Sequence, residues 1–292
     1  MTEYKKRRGD RKDGRLLRSL PPFNKITPFI IPHRNDASNL YEETFEVSAI
    51  DAKIKDWRSA GYGGIGLLHV LIAAYIKGIA AYPGINRFIA GHRIYARNDI
   101  TVIMVVKRTL TLNSPETSIK VVFKPTDTVF DVYNKMNEKI EEVRNVADGS
   151  DAEDLAGKLC KAPRPLLRLA ISFLKWMDYH GVMPKSVLDV SPFHGSMIIT
   201  NLGSLGIGPI YHHIYNFGTL PVFIAFGSRY KAVEFNKKGT PVGRHYVDCK
   251  FVMDERTVDG HYYATFLKKM RRVILDPVQL ELPPDEVKED VE

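Results

Sequence analysis

The chain has 292 residues, a formal net charge of +8, 44% hydrophobic residues and 26% charged ones. That balance excludes a disordered, collagenous or disulfide-stapled chain and leaves a globular protein with ample length for a sizeable core. Cys160 and Cys249 lie about ninety positions apart, which is neither a disulfide framework nor a zinc pattern, so a reducing cytoplasm and no metal are expected.

Residues 1–20 are rich in Lys and Arg and end at Pro21-Pro22, while 279–292 reverse the sign with Asp285, Glu286, Glu289, Asp290 and Glu292. Both are expected as solvated tails flanking one domain over 21–278. The basic segment could also meet a polyanion, such as the phosphates of a ligand. It lacks interleaved aromatics and any nucleic-acid motif, so no nucleic acid is expected. No apolar stretch follows its charges, so it is no signal peptide.

Residues 38–58 read as a strand leading into a helix. Leu67 to Ala81, stopped by Pro83-Gly84, reads as a buried helix. The β-branched runs Ile100–Val106 and Ile119–Phe123 make a hairpin across Asn113-Ser114-Pro115. Val129, Val132, Met136 and Ile140 share one face of a helix opening at Thr126-Asp127. Acidic, small residues over 144–160 form a connection to a second amphipathic helix, Pro165–Tyr179. Strands follow at Ser196–Asn201, Val222–Phe226, Tyr230–Phe235 and His245–Met253, and Asp259–Leu275 is a closing helix. Without regular β-α-β alternation the class is α+β, a mixed sheet covered by helices.

Two patterns invite over-reading. Gly61 to Gly66 fits G-x-G-x-x-G, but no strand precedes it and no carboxylate stands about twenty positions on, so a loop before a helix is expected. His212-His213 has no further ligands at metal spacing and reads as a loop pair, and His69 and His92 read as ordinary helix and loop histidines. The longest apolar run, Ile65–Ile76, contains His69 and meets Lys77, too short to span a bilayer, so no membrane is expected as a partner.

The last third is informative. Met197 to Gly206 is a strand entering a glycine turn through Thr200-Asn201-Leu202-Gly203. Pro221 to Gly227 is an apolar strand, and Asp254-Glu255-Arg256-Thr257-Val258-Asp259-Gly260 stands directly before a helix. In this order the segments resemble the catalytic domain of the chloramphenicol acetyltransferase and dihydrolipoamide acyltransferase superfamily. The resemblance is strongest over 195–277 and softer over 20–125, at Ile31-Pro32-His33-Arg34 and Pro83-Gly84-Ile85-Asn86.

The resemblance implies a chloramphenicol acetyltransferase-like fold and a homotrimer, or a multiple of trimers, with sites between subunits. It also implies a coenzyme A thioester as co-substrate and a small-molecule or carrier-bound acyl acceptor. With no lipoyl domain ahead of it, a stand-alone catalytic-type domain is expected. Thr200 matches the hydroxyl residue that hydrogen-bonds the oxyanion. Asp259 matches the motif aspartate, with Arg34 as its expected partner, and Asn201 braces the turn. The motif histidine is replaced by Glu255. A carboxylate is ordinarily a weaker base than imidazole, so proton transfer is impaired unless Glu255 is buried or His261, His194 or His213 takes its place. The leading expectation is an acyltransferase with an altered base; the rival is a non-catalytic trimeric scaffold on the same fold.

Overall fold

A computed structural model describes residues 6–107, 116–145, 157 and 161–292. A six-stranded mixed sheet organises it. Its strands are β2 (Ser38–Glu46), β5 (Ile100–Lys107), β6 (Glu116–Phe123), β7 (Met197–Asn201), β8 (Val222–Phe235) and β9 (Pro241–Asp254), in the order β2-β9-β8-β7-β5-β6. β7 runs parallel to both β5 and β8; the other pairs are antiparallel. A second sheet joins β1 (Gly14–Leu16), β4 (Arg93–Arg97) and β3 (Arg87–Ala90), in the order β1-β4-β3.

Alternation along the strands sends side chains to both faces. Met197, Ile199, Val222, Ile224, Phe251 and Met253 face a core closed by four helices. These are α2 (Ser48–Ser59), α3 (Leu67–Ala81), α4 (Val129–Asn145) and the closing helix, α7 (Gly260–Leu275). α3 is buried on nearly every side, as its Ala- and Ile-rich sequence requires. Ile198, Phe223 and Val252 face the other way and are covered by Ile214, Leu220 and Tyr215. The His212 ring stacks on Phe223 at 4.2 Å in that covering loop. The fold is therefore the expected mixed α+β sheet covered by helices.

Three helices lie outside this core: α1 (Pro22–Ile30), α5 (Arg164–Tyr179) and α6 (Lys185–Val190). The three-stranded sheet does not show in the sequence, because strands of three to five residues carry too few alternations to read, and α1 is a short helix with Pro28 inside it. The two runs 222–226 and 230–235 form one strand with an irregularity between Phe226 and Arg229. Gly61 to Gly66 lies between α2 and α3, with no strand before it. Cys249 is buried in β9, and burial pushes its thiol well above the usual range; Cys160 lies outside the described residues. Among the described residues no helix is long and apolar enough to cross a membrane, and no group of His, Cys, Asp and Glu could hold a metal.

The terminal segments differ from the expected tails. Arg15 donates to the carbonyls of Asp290 and Val291 at 2.6 and 2.7 Å, and the Arg18 and Ser19 amides donate to the Glu292 carbonyl. Arg7 pairs with Glu292. Arg87 clasps Asp290 with Nε and Nη2 at 2.7 and 2.5 Å, and both side chains are buried. The C-terminal segment is thus held beside the three-stranded sheet by its backbone carbonyls, which accept from residues 15–19, and by the Asp290 ion pair with Arg87 of β3. Removing Asp290 alone strands the Arg87 cation. Asp290→Ala is expected to cost about 3 kcal/mol, read as a lowered urea midpoint with an unchanged slope.

Candidate active site

The Asp254–Gly260 segment leaves β9 and enters α7, and a buried ion cluster fixes its path. Arg256 donates through Nε and Nη2 to both Asp254 carboxylate oxygens, at 2.8 and 2.7 Å, and through Nη1 to the Ile31 and Pro32 carbonyls, both at 3.0 Å. Arg34 reaches Asp254 Oδ2 at 3.3 Å and spends its remaining donors on the Tyr215 and Gly218 carbonyls at 2.5 and 2.8 Å. All three side chains are buried. The Asp254 carbonyl accepts from Tyr263 Oη and Thr257 Oγ1, both at 2.8 Å. Arg34 therefore does not pair with Asp259. Asp259 is the exposed N-cap of α7, where its carboxylate accepts the Tyr262 amide at 2.8 Å.

This clamp presents Glu255. Its backbone amide donates to the Ala37 carbonyl at 2.9 Å, while its side chain is exposed with no ion-pair partner among the described residues. Gly84, in the Pro83–Asn86 segment, donates its amide to Tyr262 Oη at 2.9 Å. A Cβ on Gly84 would stand 2.9 Å from that ring, which docks this segment on the first turn of α7.

Beside the clamp lies a cavity of about 400 Å³, lined among others by His33, Arg34, His92, Lys175, Tyr179 and Arg256. His92 occupies a left-handed turn at φ 58° and its Nδ1 meets the Pro28 carbonyl at 2.8 Å. Neither His33 nor His92 stands out in the sequence as a site residue. The only signal is that His33 precedes Arg34.

Thr200 is half-buried near the end of β7, and its hydroxyl has no hydrogen-bond partner among the described residues. The Asn201 side chain accepts the Ser204 amide at 3.1 Å and holds the following turn. Gly203 is required there, since a Cβ would stand 2.4 Å from the Gly227 carbonyl oxygen. Register separates Thr200 from Glu255. Thr200 lies level with Ala225, Lys250 and Glu42, near the middle of β2, while Glu255 follows Asp254, level with Ser38, at one end of the sheet. That puts the two about 17 Å apart along the strands and about 10 Å apart across them. Within one chain they do not meet.

The replacement histidines do not meet Glu255 either. His261 and His213 are exposed, on the first turn of α7 and in the covering loop. His194 is buried, with Nδ1 2.7 Å from Ser191 Oγ and Nε2 3.3 Å from Asp178 Oδ1. Ser191 and His194 do not line the cavity, so this Ser–His–Asp alignment is an anchor for α5 rather than a nucleophile. Arg11 completes it, donating to Asp178 Oδ1 at 2.7 Å and binding Asp13 at 2.9 Å.

Burial alone would raise the Asp178 pKa, but the His194 contact and the Arg11 guanidinium outweigh it and hold the carboxyl down at about 2. A depressed carboxyl stabilises the fold above its unfolded pKa, and that contribution fades as pH falls through the folded value. Asp178 should therefore contribute on the order of 2 kcal/mol above about pH 4, lost towards pH 2. Acid unfolding of wild type against Asp178→Asn, followed by circular dichroism, checks this. The wild-type advantage should shrink over that window.

Residues 186–282 match the family model for the catalytic domain of 2-oxoacid dehydrogenase acyltransferases. No curated protein matches the sequence. The fold is similar to a truncated catalytic core of the 2-oxoacid dehydrogenase complex from Thermoplasma acidophilum. That match has 14% identity and a TM-score of 0.55 over 90% of this chain and 99% of that one. It is similar to chloramphenicol acetyltransferase at 11% identity and a TM-score of 0.55, over 89% and 99% of the two chains. A dihydrolipoamide acetyltransferase of Azotobacter vinelandii, in whose catalytic mechanism a serine, a histidine and an asparagine have been investigated, matches at 12% identity. Its TM-score is 0.53, over 91% of this chain and 94% of that one. The chain therefore has the catalytic-domain fold of the chloramphenicol acetyltransferase and dihydrolipoamide acyltransferase superfamily.

Proposed function

We propose that this protein is an acyltransferase that moves an acyl group from a coenzyme A thioester to a thiol, amine or hydroxyl acceptor, at a site completed by a second copy of the chain. One observation carries the reading: Thr200 and Glu255, the two motif positions with unengaged polar groups among the described residues, stand about 17 Å apart along the strands and about 10 Å apart across them. A site using both needs Thr200 from one protomer and Glu255 from its neighbour. A trimer closes such head-to-tail contacts without leaving an open end.

The thioester supplies the activated acyl carbon. Glu255 accepts the acceptor's proton as that group attacks, and Thr200 Oγ donates to the oxyanion. Collapse of the tetrahedral species breaks the carbon–sulfur bond and expels coenzyme A as thiolate, which takes up a proton. A neighbour packed over Glu255 would supply the burial that raises a carboxyl's pKa and makes the carboxylate a stronger base. In the single chain Glu255 lies open to solvent. That openness is the observation favouring the second reading, a trimeric scaffold that has lost proton transfer.

The test is release of free thiol from acetyl-coenzyme A by the purified chain, with thiol, amine and hydroxyl acceptors, alongside sedimentation equilibrium. Turnover that falls about 100-fold in Thr200→Val, the loss typical of one oxyanion donor, supports acyl transfer. Binding of acetyl-coenzyme A without turnover in any variant favours the scaffold. A monomer with full activity overturns the shared site.

A further inference from the structure

Charge does not balance around the clamp. Arg34 and Arg256 share one carboxylate, Asp254, and the three side chains are at most 4% exposed. The neighbouring buried group does not make up the difference. Arg11 bridges Asp13 and Asp178 there, and Arg97 faces Asp13 at 3.7 Å, so two cations meet two anions. Burial holds His194, which touches Asp178, below its usual pKa, so it adds no charge near neutral pH. Glu255 is exposed. Among the described residues one positive charge is left over beneath the surface. Burial pulls Arg34 below the usual guanidinium range although Asp254 opposes it. A buried charge without a counter-charge is costly, and an anion brought beside it relieves that cost.

The 400 Å³ cavity touches this surplus. Arg34 and Arg256 line it, and Asp254 does not. Its one lining carboxylate, Asp178, is engaged by Arg11 and His194. Lys175, Tyr179 and Asn216 add donors to the wall. Lys175 has no ion-pair partner and Tyr179 Oη no hydrogen bond among the described residues, and a spacing of four sets the two on one side of α5. Asn216 accepts the Asn35 amide through Oδ1 at 3.0 Å, which leaves its Nδ2 to donate. His92 commits Nδ1 to the Pro28 carbonyl at 2.8 Å, and an anion nearby favours a second proton on Nε2.

Size and lining narrow the class of anion. Ile89, Ala90 and Phe217 supply an apolar part of the wall. A bare inorganic ion would leave most of 400 Å³ unfilled and those side chains without a partner. A small molecule with an apolar body suits a pocket of this size. A carboxylate brings the single negative charge that the surplus lacks, and its two oxygens accept several donors at once.

We infer that this cavity binds a small organic carboxylate, its charged end towards Arg34, Arg256 and Lys175 and its apolar body against Ile89 and Phe217. Neither Glu255 nor Thr200 lines the cavity. The inference is independent of the acyl-transfer reading, and its test contains no acyl donor.

The experiment is calorimetric titration of the full chain at constant ionic strength with benzoate and with hexanoate. Benzamide, of the same shape without the charge, and inorganic phosphate, a charge without the body, are the controls. At least one of the two carboxylates should bind and raise the melting temperature. The controls should bind at least tenfold more weakly, the difference that hydrogen bonds to a charged group make. Lys175 is exposed on α5, so its variants should keep the fold, checked by melting without ligand. Lys175→Gln should weaken carboxylate binding about fivefold, and Lys175→Glu, which reverses the charge, at least tenfold. Failure of both carboxylates to bind overturns the inference. So does benzamide binding as tightly as benzoate, or phosphate binding more tightly than either carboxylate. Carboxylate binding unchanged in Lys175→Glu places the ligand elsewhere and overturns it too.

Discussion

Glu255→His should raise acyl transfer from acetyl-coenzyme A to a thiol acceptor by roughly 10²–10⁴-fold, the range over which a positioned general base acts. An imidazole's ordinary pKa lies closer to that of a thiol than a carboxylate's does, and a neutral base does not set a negative charge beside the developing thiolate. The Asp254 clamp fixes the backbone on either side of position 255, so the substituted side chain should start from the same place. Glu255→Gln keeps the shape and removes the base, and it should fall below the wild type. A gain in Glu255→His alone identifies a retained pocket with a weakened base. A wild type faster than Glu255→His identifies a carboxylate adapted to its own acceptor. If acetyl-coenzyme A fails to bind and no variant turns over, the acyltransferase reading fails.

Asp254→Asn should cost about 3–5 kcal/mol, the loss expected when one partner of a buried ion pair is removed. The amide fills the same space but leaves Arg34 and Arg256 buried without a neutralising charge, while their carbonyl partners at Ile31, Pro32, Tyr215 and Gly218 supply only dipoles. In a chain this long that corresponds to a drop of about 10 °C in melting temperature. Asp259→Ala is the control. It removes an exposed helix cap and should cost about 1 kcal/mol. Equal losses at the two positions would mean that Asp254 is not the charge holding the segment.

Much of the frame is readable residue by residue. α3 announces itself by an apolar run ended at Pro83-Gly84, β5 and β6 by their β-branched runs, and α7 by Asp259-Gly260 ahead of a periodic helix. Each depends on local spacing and capping, which the sequence holds in full. The partner of Arg34 is not legible in the same way, for the opposite reason. Asp254 and Asp259 stand five positions apart, and only the turn out of β9 decides which one faces inward. Arg256 passes for an ordinary surface charge until the Ile31 and Pro32 carbonyls arrive from more than 220 positions away. Nor does a run of like charge show from its own spacing that Asp290 is buried against Arg87, about 200 positions away, or that Arg15 reaches the Asp290 carbonyl.

By itself, then, the sequence determined the main strands and the helices α3, α4 and α7, the mixed α+β class and the order of the segments that hold Thr200, Glu255 and Asp259, because periodicity, caps and motif order are local properties. The tertiary structure alone decided that Asp254 rather than Asp259 carries the arginines, that Asp290 is buried against Arg87, and that Thr200 and Glu255 stand far apart along the sheet. Those are matters of strand register and of which charges share a buried volume, and both are set by contacts between residues far apart in the chain.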